Sequence, residues 1–196
     1  MLKILRYINT NTFFIKNIKE GLLIDTDWAG TLPMFYKEIK NKGILLSDIK
    51  YVLATHYHPD HMGLVSELMD LGITLIIMDV QRDYIHYSDE FFKHNKSCNY
   101  NPINETKAIY IECEQSRKFL DNLGIKGEII HTPGHSNDSI SLILDEGIAI
   151  VGDLPPIDFV DAYENNQLLK ESWKLILQYK PKNIYYSHAN EKTINQ

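Results

Sequence analysis

Thr55-His56-Tyr57-His58-Pro59-Asp60-His61 follows directly on the apolar run Tyr51-Val52-Leu53-Ala54, and its reading decides the fold. The chain has 8 histidines in 196 residues, and three of them fall within this heptad. Imidazole and carboxylate are the nitrogen and oxygen donors that Zn²⁺ and related borderline metals accept. On extended backbone, side chains two residues apart point the same way, so His56 and His58 can meet one ion. Pro59 fixes φ and turns the chain, which aims Asp60 and His61 at a second position. The heptad therefore reads as a metal-binding loop at the end of a buried strand.

Three later fragments repeat the arrangement of a donor at the end of an apolar, strand-like segment: Thr132-Pro133-Gly134-His135-Ser136, Val151-Gly152-Asp153 and Ser187-His188. Strands are predicted at Thr12–Ile15, Gly21–Asp25, Ile49–Ala54, Ile73–Met78, Ile129–Thr132 and Ile184–Tyr186, with a turn over Lys16–Glu20. Ser139–Leu144 and Gly147–Val151 form a hairpin around Asp145-Glu146-Gly147. Helices are expected over Met34–Asn41, opened by Pro33 and stopped by Gly43, and over Gly63–Met69 and Glu114–Leu123. A last helix, Leu168–Tyr179, carries Leu169, Trp173, Ile176 and Leu177 at three- and four-residue steps. Repeats and linker-like tracts are absent, so residues 1–196 read as one domain of two sheets between helices, with every donor where a strand becomes a loop.

In this order, H-x-H-x-D-H, T-P-G-H-S, apolar-G-D and S-H resemble the metallo-β-lactamase superfamily, whose α/β fold is a four-layer αββα sandwich. The likeness runs from Asp25, which resembles the family's early structural aspartate, to His188. It implies that His56, His58 and His135 hold a first metal, that Asp60, His61 and His188 hold a second, and that Asp153 bridges them. Two divalent ions per chain are then expected; zinc suits the donors, with iron or manganese as alternatives. Such a pair, roughly 3.5–4 Å apart, implies a metallo-hydrolase working through a metal-bound hydroxide. Asp60 is both a ligand and the catalytic residue that handles the proton. Only eight residues follow His188, so the helical glutathione-binding domain of glyoxalase II enzymes is not expected.

Composition narrows the function. A net charge of −6 and the absence of a basic block give no footprint for a nucleic-acid backbone, so a small-molecule substrate is expected and no nucleic acid. The N-terminus lacks a signal-peptide apolar region and no run reaches membrane-spanning length, so a cytoplasmic protein without a membrane partner is expected, and an exported antibiotic-degrading enzyme is disfavoured. Cys98 and Cys113 read as reduced thiols. The leading function is hydrolysis of a small ester, thioester, lactone or amide. A phosphodiesterase is the first alternative. An iron-dependent oxygen or persulfide redox enzyme is the second, although di-iron oxygen reducers of this fold carry Glu where this chain has His58.

Other residues are given supporting roles. His131, four residues before His135, reads as a packed or supporting residue, and Asp138 as a turn cap or an orienting group. Gly134 and Gly152 read as residues of backbone shape. Substrate choice is expected in the aromatic stretch Tyr84–Tyr100, which suits either a lid or an ordinary insertion, and in Leu154–Tyr163, through Phe91, Phe92, Ile157 and Phe159.

Overall fold

Residues 1–17, 20–95 and 98–194 are described by the computed structural model. Residues 18 and 19 of the expected Lys16–Glu20 turn, and 96 and 97 of the aromatic stretch, lie outside the described residues. The first sheet has strands β1 (Leu2–Arg6), β2 (Asn11–Lys16), β3 (Gly21–Ile24), β4 (Ile49–Leu53), β5 (Thr74–Met78) and β6 (Ile109–Ile111), in that spatial order. The first three run antiparallel, and β3 to β6 run parallel. The parallel half sends β3 and β4 out along the same edge, which is why Asp25 and the His56 loop emerge side by side.

The second sheet has spatial order β11-β10-β9-β8-β7. Its strands are β7 (Gly127–His131), β8 (Ile140–Leu144), β9 (Ile148–Ile150), β10 (Asn183–Tyr185) and β11 (Lys192–Thr193). The β8–β9 hairpin forms as expected, and β10 lies parallel to β9. Asp153 and His188 thus leave neighbouring parallel strands in the same direction.

Alternation along the strands makes the layers. Phe13, Ile15, Leu22, Ile24, Leu53 and Ile76 face the second sheet's Ile129, Ile140, Leu142 and Ile150 in the central core. Their neighbours Phe14, Leu23, Val52, Leu75 and Ile77 face outward and are covered by α1 (Leu32–Asn41) and α3 (Val65–Asp70), through Phe35, Ile39, Val65 and Leu68. A short helix, α2 (Pro59–Met62), lies between the metal-type loop and α3, and α4 (Asp89–His94) follows β5. The helix α5 (Ser116–Asn122) caps the central core through Leu120. On the far side, α6 (Gln167–Gln178) sets Leu169, Trp173 and Ile176 on Ile130, Ile143, Ala149 and Ile184. The result is helix, sheet, sheet, helix, as the sequence implied. Among the described residues, no helix is long and apolar enough to cross a membrane.

Candidate metal centre

The loop after β4 is anchored by one buried carboxylate. Asp25 takes φ of +60°, a left-handed conformation that Asp tolerates better than most residues. Its buried carboxylate accepts from Thr55 N–H at 2.6 Å, Thr55 Oγ1 at 2.9 Å and Ser187 Oγ at 3.1 Å, and lies 2.9 Å from His61 Nδ1. One carboxylate thereby ties the start of the heptad, its last histidine and the residue before His188. Engaging His61 Nδ1 fixes the ring so that Nε2 faces away from Asp25.

Tyr57, between the two alternating histidines, is clamped at both ends of its peptide. Its N–H donates to Asp138 Oδ2 at 2.8 Å, and its carbonyl accepts from Ser88 Oγ at 2.5 Å. Gln81 is fully buried, and its amide donates to Ala54 O at 2.9 Å and Asp138 O at 3.3 Å. Asp138 is therefore an orienting group as well as part of a turn, since it couples the His56–His58 segment to the His135 loop. Gln81 and Ser88 carry no signal in the sequence. Their roles exist only once β5 and the segment after it pack beside β4.

The seven expected donors converge. His58 Nδ1 lies 3.0 Å from both His56 Nε2 and His135 Nε2. Asp153 Oδ2 lies 3.3 Å from His61 Nε2, 3.6 Å from His135 Nε2 and 3.9 Å from His56 Nε2, while Oδ1 lies 3.4 Å from His188 Nε2. His188 Nε2 also lies 3.0 Å from Asp60 Oδ2. Three groupings have the spacing of metal ligands: His56 with His58 and His135, His56 with His61 and Asp153, and Asp60 with His61 and His188. His61 Nε2 and Asp153 Oδ1 are buried without a hydrogen bond of their own. Buried polar atoms are seldom left so, and a cation between them would satisfy both. The donor set fits divalent metal.

The donors sit in contrasting electrostatic surroundings. Burial, reinforced by His61, His58 and His135, holds the His56 imidazole neutral, well below its ordinary range. Burial acts the same way on His61, but the carboxylates of Asp25 and Asp153 outweigh it and raise it well above that range. Burial would raise Asp60, yet the hydrogen bond from His188 and the charge of His61 bring it down to about 2. Asp60 is thus an anion throughout the neutral range.

His131 stands apart from this cluster, with Nε2 2.8 Å from Asn137 O, where it braces the turn after His135. Gly152 has φ of +59°, and a Cβ there would lie 2.6 Å from Thr55 Oγ1; at Gly134 a Cβ would lie 2.8 Å from Leu169 Cα. Both glycines therefore serve backbone shape and close approach.

Two clefts open from the cluster, sharing His135. One of about 340 Å³ is walled by Leu154, Pro155, Pro156, Tyr163, Tyr186 and Ala189. The other, of about 250 Å³, is bordered by His58, Tyr84, Tyr87, Ser136, Asn137 and Asp138. The expectation for Phe91, Phe92, Ile157 and Phe159 is corrected here. Phe92 is buried and stacked on Tyr100 at 4.1 Å between centroids, Phe91 packs on Trp28, and Ile157 packs against the α6 core. Phe159 borders neither cleft and stands 60% exposed. The short α4 turns Phe92 into the protein body and leaves Phe91 43% exposed against Trp28, an outcome that composition alone does not reveal.

The family model of the metallo-beta-lactamase superfamily matches residues 6–188. A lactamase-like protein, notP, from Aspergillus sp. (strain MF297-2) is 31% identical over 142 residues, covering 70% of this chain and 35% of that protein. An atrochrysone carboxyl ACP thioesterase from Aspergillus terreus is 30% identical over the same length, with 70% of this chain and 35% of that protein covered. The chain thus spans about a third of the length of these curated relatives. Among solved structures, a metallo-beta-lactamase family protein from Thermus thermophilus superposes with a TM-score of 0.74 at 18% identity, over 98% of this chain and 74% of that one. BLEG-1 B3 metallo-beta-lactamase superposes with a TM-score of 0.70 at 21% identity, over 98% and 94%. These structural likenesses concern the fold.

Proposed function

The chain belongs to the metallo-β-lactamase superfamily, and from that premise we propose that it is a dinuclear metallo-hydrolase of small acyl esters, thioesters above all. The observation that carries the reading is the convergence of seven donors on Asp153, whose two oxygens face histidines from both halves of the cluster. In this proposal His56, His58 and His135 hold one ion, Asp60, His61 and His188 hold the other, and Asp153 joins them, all within one domain. Zinc suits this nitrogen-rich set. When bound, the ions polarise a carbonyl and lower the pKa of water to roughly 7, which makes a nucleophile available near neutral pH.

The chain's own residues do the rest. Asp60, ionised beside His188, would take the proton of the attacking water and return it to the departing alcohol or thiol. Asp25 fixes the ring of His61, and Asp138 fixes the peptide between His56 and His58. The thioester preference is supported by the naming of a relative as an ACP thioesterase.

Elemental analysis of zinc-loaded protein, followed by kcat/KM on esters, thioesters, lactones and phosphodiesters, tests the proposal. Two equivalents of metal with thioester turnover are expected. A firm plateau at one equivalent would sink the dinuclear assignment. Turnover confined to phosphodiesters would replace the substrate class.

A further inference from the structure

We propose that the two clefts divide the substrate at His135: the apolar acyl group lies against Leu154, Pro155, Pro156, Tyr163 and Tyr186, and the leaving group extends on a polar arm between Tyr84, Tyr87 and Asn137. The inference rests on the hydrolase reading and adds to it a direction and a substrate class, an apolar acyl chain carried on a polar alcohol or thiol.

The walls differ in chemistry. On the larger side, backbone and side-chain polar atoms are engaged with the protein body. Pro155 O accepts from Trp173 Nε1 at 3.1 Å, and Ile157 N–H donates to Tyr186 Oη at 3.4 Å. What this wall exposes is two prolines and the Tyr163 ring, with Leu154 and Tyr186 buried behind them and braced by Trp173, packed 6.2 Å from Tyr186. Rigid apolar surface of this kind takes a hydrocarbon at little cost in ordering. The floor of the same cleft is His135, Asp153 and His188, so a chain seated there ends with its carbonyl at the cluster.

The smaller side offers hydrogen-bonding groups. Tyr84 and Tyr87 bring phenol hydroxyls, Asn137 an exposed amide, and Ser136 a hydroxyl. The Tyr87 ring lies 5.7 Å from that of His58, and the residue is 65% exposed. An arm of amides and hydroxyls matches this wall, whereas a hydrocarbon would strip water from it without replacing the hydrogen bonds. Hydrolysis breaks the bond from the acyl carbon to oxygen or sulfur. Water gives its oxygen to the acyl carbon and a proton to the leaving atom. Both arms must therefore diverge from the cluster, and His135 is where the two clefts meet.

The test uses Tyr163→Ala and Tyr87→Ala, both at exposed positions where folding is not at stake. Zinc-loaded wild type and variants are assayed on two thioester series: acetyl to decanoyl on N-acetylcysteamine, and octanoyl on ethanethiol, N-acetylcysteamine and pantetheine. Octanoate and pantetheine binding is measured by calorimetry alongside. Tyr163→Ala should cut the gain from long acyl chains about tenfold and weaken octanoate binding, with the preference among leaving groups unchanged. Tyr87→Ala should do the reverse, and weaken pantetheine binding. Variants that shift both series equally, or in the opposite sense, overturn the division. If the wild type hydrolyses no thioester but the binding data split as described, the thioesterase reading falls while the division of apolar and polar ligands between the two clefts stands. If it hydrolyses them without any split, the cleft assignment falls alone. No turnover and no split would overturn both.

Discussion

At the scale of single residues, carboxylates that touch no substrate set the geometry. Asp25 gathers four donors, among them His61 Nδ1 at 2.9 Å. Asp25→Asn leaves one acceptor oxygen where two served, so metal affinity should fall about 10–100-fold. Competition with a chromogenic chelator measures this, and unchanged affinity would detach Asp25 from the site. Asp60→Asn removes the proposed proton acceptor, and kcat should drop by roughly 10²–10⁴-fold. Near-wild-type turnover in a fully metallated Asp60→Asn protein would take Asp60 out of the mechanism. His131→Ala supplies the contrast, with metal stoichiometry retained, because its ring serves the Asn137 turn. Cys113 is a half-buried free thiol. Burial, together with the neighbouring Asp79, pushes it up to about 12. Its alkylation by iodoacetamide at pH 8 should be far slower than that of free cysteine, as mass spectrometry of the modified peptide would register.

At the scale of elements, α6 is more than a cover for the second sheet. Trp173 lies 3% exposed in its core and holds Pro155 by a hydrogen bond, so one helix both closes a layer and braces a cleft wall. Trp173→Ala should destabilise the fold by about 3–5 kcal/mol, read from denaturant melts. A change below about 1 kcal/mol would mean that the helix is held by other contacts. The sequence made α6 legible through its three- and four-residue apolar steps, and made the buried strands β2 to β5 legible through apolar runs between turns. It did not reveal β1, β6 or β11. Ile109 and Tyr110 of β6 are exposed, and β11 has two residues. Edge strands such as these are defined by backbone pairing and carry little hydrophobic pattern. The donors were legible because each follows an apolar strand. Gln81 and Ser88 were not, since each acquires its role from a neighbour distant in sequence.

At the scale of the whole molecule, the donors are presented by both sheets: His56 and His58 from the loop after β4, Asp60 and His61 from the short α2 that follows it, and His135, Asp153 and His188 from loops after β7, β9 and β10. Metal bound only by the folded state stabilises it by mass action, about 4 kcal/mol when free metal exceeds Kd a thousandfold. Stripping metal with a chelator should therefore lower Tm by on the order of 10 °C for a chain of this size, as calorimetry would record. An unchanged Tm would mean that the two sheets hold together without the ions. The pairing of Asn11 has a bearing on this. Its N–H donates to Ser187 O at 2.8 Å and its side chain to Tyr186 O at 2.9 Å, so the second strand of the chain clasps the segment that carries His188. During vectorial synthesis, that clasp stays open and the second half of the donor set stays incomplete until residue 188 has left the ribosome. The proposed dinuclear centre is then finished only once residue 188 has emerged, and a shorter nascent chain offers the cell no complete centre to be filled with the wrong ion.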